Sequence, residues 1–314
     1  MSEQQNQQTA ALGTAPVGPL LFRLALPTIT AQVVNLLYSI VDRIYIGRIP
    51  LEGKLALTGM GVTFPVITLI SAFAALIGMG GAPRASIALG AKEHDRAERI
   101  LGTCTAALWA LALVLTALFL LFQAPLLKLF GASADTLPYA MQYLNLYVLG
   151  TVFVMTSLGL NGFITAQGRS SVAMKTVVIG AVLNTALDPL FIFVLGLGVR
   201  GAAIATVLSQ IASCLYMLHI LFGKTIPIRI TFGGYSFAIM KRILTVGFTP
   251  FLIIAIDNVM IIAMNAVLQR YAPAGQGDSF ITCATIVQSF MLIITMPLGG
   301  ISGGTQSILA YNYG

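Results

Sequence analysis

The stretch LALPTITAQVVNLLYSIVDRIYIG, Leu24–Gly47, is apolar along most of its length, and its only charges, Asp42 and Arg43, lie towards one end. A helix needs about 20 apolar residues to cross the hydrocarbon core of a bilayer, so this segment is long enough to span it. Its apolar character is continuous, whereas the strands of an outer-membrane barrel alternate polar and apolar residues. Similar runs fill the chain. Of its residues 57% are hydrophobic and only 9% are charged, and the mean hydropathy is +0.91. A soluble domain carries about 25% charged residues and needs them to face water. The sequence therefore reads as an all-α polytopic membrane protein.

Breakers and charges divide the chain into about eight apolar runs, at roughly residues 20–49, 58–89, 97–122, 138–167, 171–195, 200–222, 236–270 and 280–314. Residues 1–19 open on a Gln- and Thr-rich stretch without a positive n-region, which predicts a disordered cytoplasmic tail and no cleaved signal peptide. Residues 223–235, GKTIPIRITFGGY, read as a cytoplasmic linker between a first bundle of six helices (20–222) and a pair of helices (236–314). With the N-terminus inside, Arg23, Arg84, Lys92, Arg96, Arg99, Arg169, Lys175, Lys224, Arg229, Lys241 and Arg242 fall on the inner side. That is eleven of the seventeen Lys and Arg residues. This bias predicts a cytoplasmic N-terminus in a multi-pass protein of the inner or plasma membrane.

The chain also repeats itself. Pro27 precedes Asp42 by fifteen residues, as Pro250 precedes Asn265. GGAPRASIALGA (Gly80–Ala91) is echoed by SGGTQSILAYN (Ser302–Asn312), with Ser86-Ile87 matching Ser307-Ile308. The seventh helix thus restarts the pattern of the first. Six helices return the chain to its starting side, so the copies are parallel, and the second copy holds only its first two helices.

The net charge of +7 sits between apolar runs, where basic residues set topology and meet lipid headgroups; no nucleic-acid partner is expected. Cys104, Cys214 and Cys283 have neither metal-ligand nor disulfide spacing and read as small packing residues. The Gly78–Gly81 run lacks the Lys-Ser/Thr ending of a phosphate loop and reads as close helix packing. No ATP-binding motif occurs, and no His–Asp, Ser–Lys or metal-ligand cluster marks an enzyme.

Three of the ten acids lie inside apolar runs: Asp42, Asp188 and Asp257. A carboxylate at a membrane-helix centre costs about 2.5–3.5 kcal/mol on insertion scales, which makes each a functional candidate. The ordinary alternative is a packing contact to Arg, Ser or backbone. Asn184 and Asp188 are four apart and share a helix face, and Pro189 leaves the Thr185 carbonyl without its helical donor. Amide oxygen, carboxylate and freed carbonyl are hard oxygen ligands for a small cation such as Na⁺. Thr206 on the sixth helix falls at a similar depth, although a lone membrane threonine ordinarily bonds back to its own helix.

Gln32, Asn35, Ser39 and Asp42 form a stripe on the first helix, lining either a water-filled cavity or a polar helix contact; four such residues ending in an acid favour the cavity. Helices seven and eight interleave polar residues with Met260, Met264, Gln288 and Met291. Methionine suits pockets that accept varied ligands, and it is equally an ordinary gap filler.

These motifs, taken together, resemble the multidrug and toxic compound extrusion (MATE) family of bacterial type. The resemblance rests on Leu24–Gly47, GGAPRASIALGAKEHDRAERILG, FITAQGRSS (Phe163–Ser171), NTALDP (Asn184–Pro189) and GGTQSILAYNYG, and it covers nearly all of the chain beyond residue 16. It implies a fold of twelve helices in two lobes around a central cavity, here C-terminally incomplete: a whole six-helix N-lobe and the first two helices of the C-lobe. It implies an antiporter, not an enzyme, that exports cationic and amphipathic drugs in exchange for Na⁺ or H⁺, with no other cofactor. By motif position the family's cation site falls on Asp42, Asn184, Asp188 and Thr206, and Asp257 resembles a coupling acid of some branches. The alternatives are a lipid-linked oligosaccharide flippase of the same superfamily and a non-transporting fragment acting as a scaffold.

Overall fold

The computed structural model describes residues 3–223, 226–271, 273 and 277–314. Every regular element among them is helical: α1 (Glu3–Thr14), α2 (Val17–Gly47), α3 (Gly53–Gly90), α4 (His94–Leu129), α5 (Leu137–Leu149), α6 (Thr151–Ala166), α7 (Ser170–Pro189), α8 (Gly198–Phe222), α9 (Phe237–Tyr271) and α10 (Gly277–Tyr313). Six of these, α2, α3, α4, α7 with its extension, α8 and α9, are long and apolar enough to cross a membrane. The α5–α6 pair adds a broken span, bent by 60°. The break falls at Gly150, where a side chain would press into Val207 of α8. The 37-residue α10 follows, where the sequence expects the eighth apolar run.

The N-terminal segment corrects the expectation of a disordered tail. Residues 3–14 form α1 because their Ala, Gln and Leu content favours helix and because the helix finds partners. Leu12 is buried with Leu20, Leu24 and Ile308. The Thr9 hydroxyl donates to the Gln167 carbonyl (3.1 Å), and Asn312 Nδ2 donates to the Leu12 carbonyl (2.8 Å). The 223–235 segment is also anchored: Ile226, Ile228 and Ile230 are buried, and the Ile228 N–H donates to Gln167 Oε1 (3.0 Å).

The main core lies among α3, α4, α5, α6 and α8 and includes Leu101, Leu108, Leu144, Met155 and Phe163. Cys104 and Cys214 are buried and free, while the Cys283 side chain lies outside the described residues. The Gly78–Gly81 run faces three neighbours at once. A Cβ on Gly78, Gly80 or Gly81 would collide with Gly159 of α6, Ile243 of α9 or Cys104 of α4 respectively.

The repeat is visible in the packing. α3 lies along α9, and α2 lies along α10, two contacts that exchange with each other when the first and second copies are exchanged. Both rest on glycine. Gly247 approaches the Leu76 carbonyl with no room for a Cβ, and Gly304 lies against Ala25. The serines of the repeated motif meet directly, Ser86 Oγ donating to the Ser307 carbonyl (3.2 Å).

Candidate functional site

α7 carries Asn184 and Asp188 one turn apart on its buried face, and α8 faces it with Thr206. α2 brings in Asp42 from the other side. The four are nearly sealed from solvent: Asp188 is 0% exposed, Asn184 2%, Asp42 4% and Thr206 7%. Asn184 Nδ2 donates to Asp188 Oδ1 (3.2 Å) and to Thr206 Oγ1 (3.3 Å). The Asp42 carboxyl lies beside that of Asp188. Arg43, next to Asp42 in sequence, points elsewhere and lies over the Phe64 ring, 5.6 Å from its centroid. Successive helical side chains diverge by about 100°, so one neighbour enters the bundle while the other leaves it.

Beyond Pro189 the backbone widens into a π-helical turn, Leu190–Val194. Such a turn suits a place where proline has removed a helical donor, and it often accompanies a functional site.

The donor supply at this cluster is short. Asp42 Oδ1, Asn184 Oδ1 and Asp188 Oδ2 are buried and have no hydrogen-bond partner among the described residues. Buried acceptors are normally paired, and two carboxyls in contact repel unless a proton or a cation lies between them. Three orphaned oxygens beside a hydroxyl make a hard donor set that fits a small cation. Among the described residues no group of three or more His, Cys, Asp or Glu side chains is placed to hold a metal ion.

A cavity of about 240 Å³ opens between α2, α6, α7 and α8 and reaches Asn184 and Thr206. Gln32 and Asn35 line it, as the spacing of the α2 stripe predicts. Ser39 does not line it, and its hydroxyl bonds back to the Asn35 carbonyl (2.9 Å). A second cavity of about 230 Å³, between α2, α3, α6 and α10, shares Thr28, Gln32 and Asn161 with the first. Gln32 therefore stands between the buried cluster and the contact of the two repeats.

The remaining sequence candidates are not gathered here. Asp257 is exposed on α9, which packs along α3 and touches α10 and α4. Its neighbour Asn258 accepts a hydrogen bond from Thr68 (2.7 Å). Met260 and Met291 are 57% and 55% exposed, Met264 is half-buried, and none of the three lines either cavity. The Gln288 side chain lies outside the described residues.

Sequence reasoning missed an aromatic wall. Tyr143 and Tyr147 of α5 are buried with stacked rings, 6.0 Å between centroids, and Tyr143 lies near Thr206. Tyr38 of α2 closes the cluster near Asp42. Spacing by four was the available signal for Tyr143 and Tyr147, but membrane tyrosines are common and nothing local set these apart. Asn161, whose Nδ2 donates to Thr176 Oγ1 (2.6 Å), was missed as well.

A family model described as MatE matches residues 27–190, more than half of the chain. The chain belongs to the MatE family. A curated relative, the multidrug export protein MepA of Staphylococcus haemolyticus, is 28% identical over 298 residues, covering 93% of this chain and 64% of MepA. The chain thus spans less than two thirds of that relative's length. Among solved structures, one described as "protein A" superposes with a TM-score of 0.89 at 30% identity, covering 98% of this chain and 68% of its own. A crystal structure of MATE in complex with MaD3S gives 0.84 at 27% identity, covering 94% and 66% respectively. These structures share the MATE fold with this chain, whose second lobe is represented by α9 and α10.

Proposed function

We propose that this chain forms the cation-coupling portion of a secondary antiporter that exports cationic and amphipathic drugs in exchange for Na⁺ or H⁺. The observation that carries this reading is the convergence of Asp42, Asn184, Asp188 and Thr206 around three unpaired buried oxygens. The chain acts in a cell membrane with its N-terminus and the α3–α4 turn inside, a placement supported by the basic residues at that end. α2–α8 make the N-lobe, residues 223–235 the linker, and α9–α10 the start of the C-lobe.

A proton or Na⁺ arriving from outside binds between Asp42 and Asp188, and Asn184 and Thr206 complete its oxygen shell. Neutralising the two acids removes their mutual repulsion and lets α2 and α7 repack, with Pro27 and Pro189 as the places where each bends. Gln32 and Asn35 couple that movement to the drug, which occupies the space between the lobes near the second cavity. Drug and cation then favour different states, as exchange requires. Drug contacts at Met260, Met264, Gln288 and Met291 and a coupling role for Asp257 belong to the same proposal and rest on the sequence alone.

The test is ethidium efflux from cells expressing this chain beside its Asp188→Asn variant, together with Na⁺ titration of both purified proteins. Efflux and Na⁺ or H⁺ binding by the parent, both lost in the variant, support the assignment. A variant that still binds the cation and still pumps overturns it.

A further inference from the structure

The contact between the two repeats carries a charge problem at its basic end. Gly80 of α3 meets the Ile243 backbone of α9 so closely that a Cβ would collide. Arg84 lies one turn beyond Gly80, and Arg242 immediately precedes Ile243. The crossing therefore places Arg84 and Arg242 at the same end of the α3–α9 contact, one from each repeat. Burial strips water from the Arg84 guanidinium first, and the like charges of Arg242 and then Arg96 add repulsion. Arg84 Nε is also buried without a hydrogen-bond acceptor among the described residues.

The nearby carboxylates do not resolve this. Glu93 is taken by Arg96 (2.6 Å), and Glu98 by Arg229 (3.5 Å). Asp95 sits in the first turn of α4, where an acid complements the helix dipole. Neither Arg84 nor Arg242 has an ion-pair partner among the described residues. At the same end an open groove of about 740 Å³ runs between the start of α4 and Ile239 of α9; Arg96 and Arg99 line it together with Glu93 and Asp95, and Arg84 and Arg242 do not. It lies at the turn that joins α3 to α4.

We propose that the phosphate of an anionic phospholipid headgroup binds between Arg84 of α3 and Arg242 of α9 and staples the two repeats together at this end. A phosphate oxygen accepts from the orphaned Arg84 Nε–H, and its charge turns the repulsion between the two helices into a shared attraction. Arginine suits this role because its planar fork pairs with phosphate in two places. The acyl chains lie along the exposed apolar faces of the helices. The bound lipid favours the packed α3–α9 contact and so biases the balance between conformations.

The experiment measures thermal unfolding of the purified full chain in detergent with added phosphatidylglycerol, phosphatidylcholine or millimolar inorganic phosphate. Native mass spectrometry counts the retained lipid. Phosphatidylglycerol is expected to raise the midpoint by about 5 °C over phosphatidylcholine. Arg84→Gln and Arg242→Gln each remove most of that gain and one retained lipid, whereas Arg48→Gln at the opposite end keeps both. Arg242 is exposed, so its variant carries the test by itself if Arg84→Gln fails to insert. Without anionic lipid, Arg242→Gln should unfold at a slightly higher temperature than the parent because one repulsive charge is gone. An undiminished phosphatidylglycerol gain in Arg242→Gln overturns the site. The full gain from inorganic phosphate alone overturns the lipid as its occupant.

Discussion

α7 and α9 carry the same sequence signal and meet opposite fates. Each belongs to an apolar span with one acid: Asp188, four residues after Asn184, at the C-terminal end of α7, and Asp257, directly before Asn258, within α9. In α7 the acid is fully buried against Asn184 and beside a second carboxyl, Asp42. In α9 the acid stays exposed, and it is the asparagine that bonds to α3. An acid in an apolar run marks a costly position, but its role depends on which helices pack around it. α7 is enclosed by α2, α6 and α8, whereas α9 rests mainly on α3.

Four substitutions break or sharpen this contrast, and each is read by ethidium efflux and by Na⁺ titration. Asp188→Asn has the largest expected effect, a loss of efflux of at least about 100-fold, since breaking a buried charged network costs roughly 3–5 kcal/mol. Asp42→Asn follows, with cation affinity falling about tenfold, equivalent to about 1.4 kcal/mol. Full activity in Asp42→Asn would mean that α7 and α8 hold the cation without α2. Thr206→Ala removes one hydroxyl ligand and the acceptor of the Asn184 amide, and about fivefold weaker binding is expected from about 1 kcal/mol. Asp257→Asn comes last, with a loss of about threefold for its proposed coupling role, because this exposed carboxylate on α9 has no hydrogen-bond partner among the described residues to lose. An Asp257→Asn variant as inactive as Asp188→Asn would erase the contrast and make α9 an equal partner in coupling.

The legibility of the site follows the same division. Asn184 and Asp188 were readable because residues four apart on a helix must share a face whatever surrounds them. Gln32 and Asn35 were readable for the same reason and do line the cavity. Ser39 fits the same stripe, yet its hydroxyl is satisfied within its own helix, which spacing cannot reveal. Tyr38, Tyr143 and Asn161 carried no distinguishing local signal, since their significance comes from neighbours far away in sequence. The N-terminal segment was misread for the mirror-image reason. Its polar composition suggests disorder, and its helix is held by partners at Gln167, Ile308 and Asn312, which lie far along the chain.

The sequence by itself determined that this protein spans a membrane as helices, because backbone polar groups in hydrocarbon must be satisfied within each segment and continuous apolar runs admit no other solution. It also determined the parallel repeat and the face each polar residue occupies, since both follow from spacing along one chain. The tertiary structure alone decided which acids meet, which stay in the open, and that α3 and α9 cross at Gly80 and Ile243. Those outcomes depend on how closely two helices approach, and at the crossing of α3 and α9 that distance is set by the absence of side chains at Gly80 and Gly247.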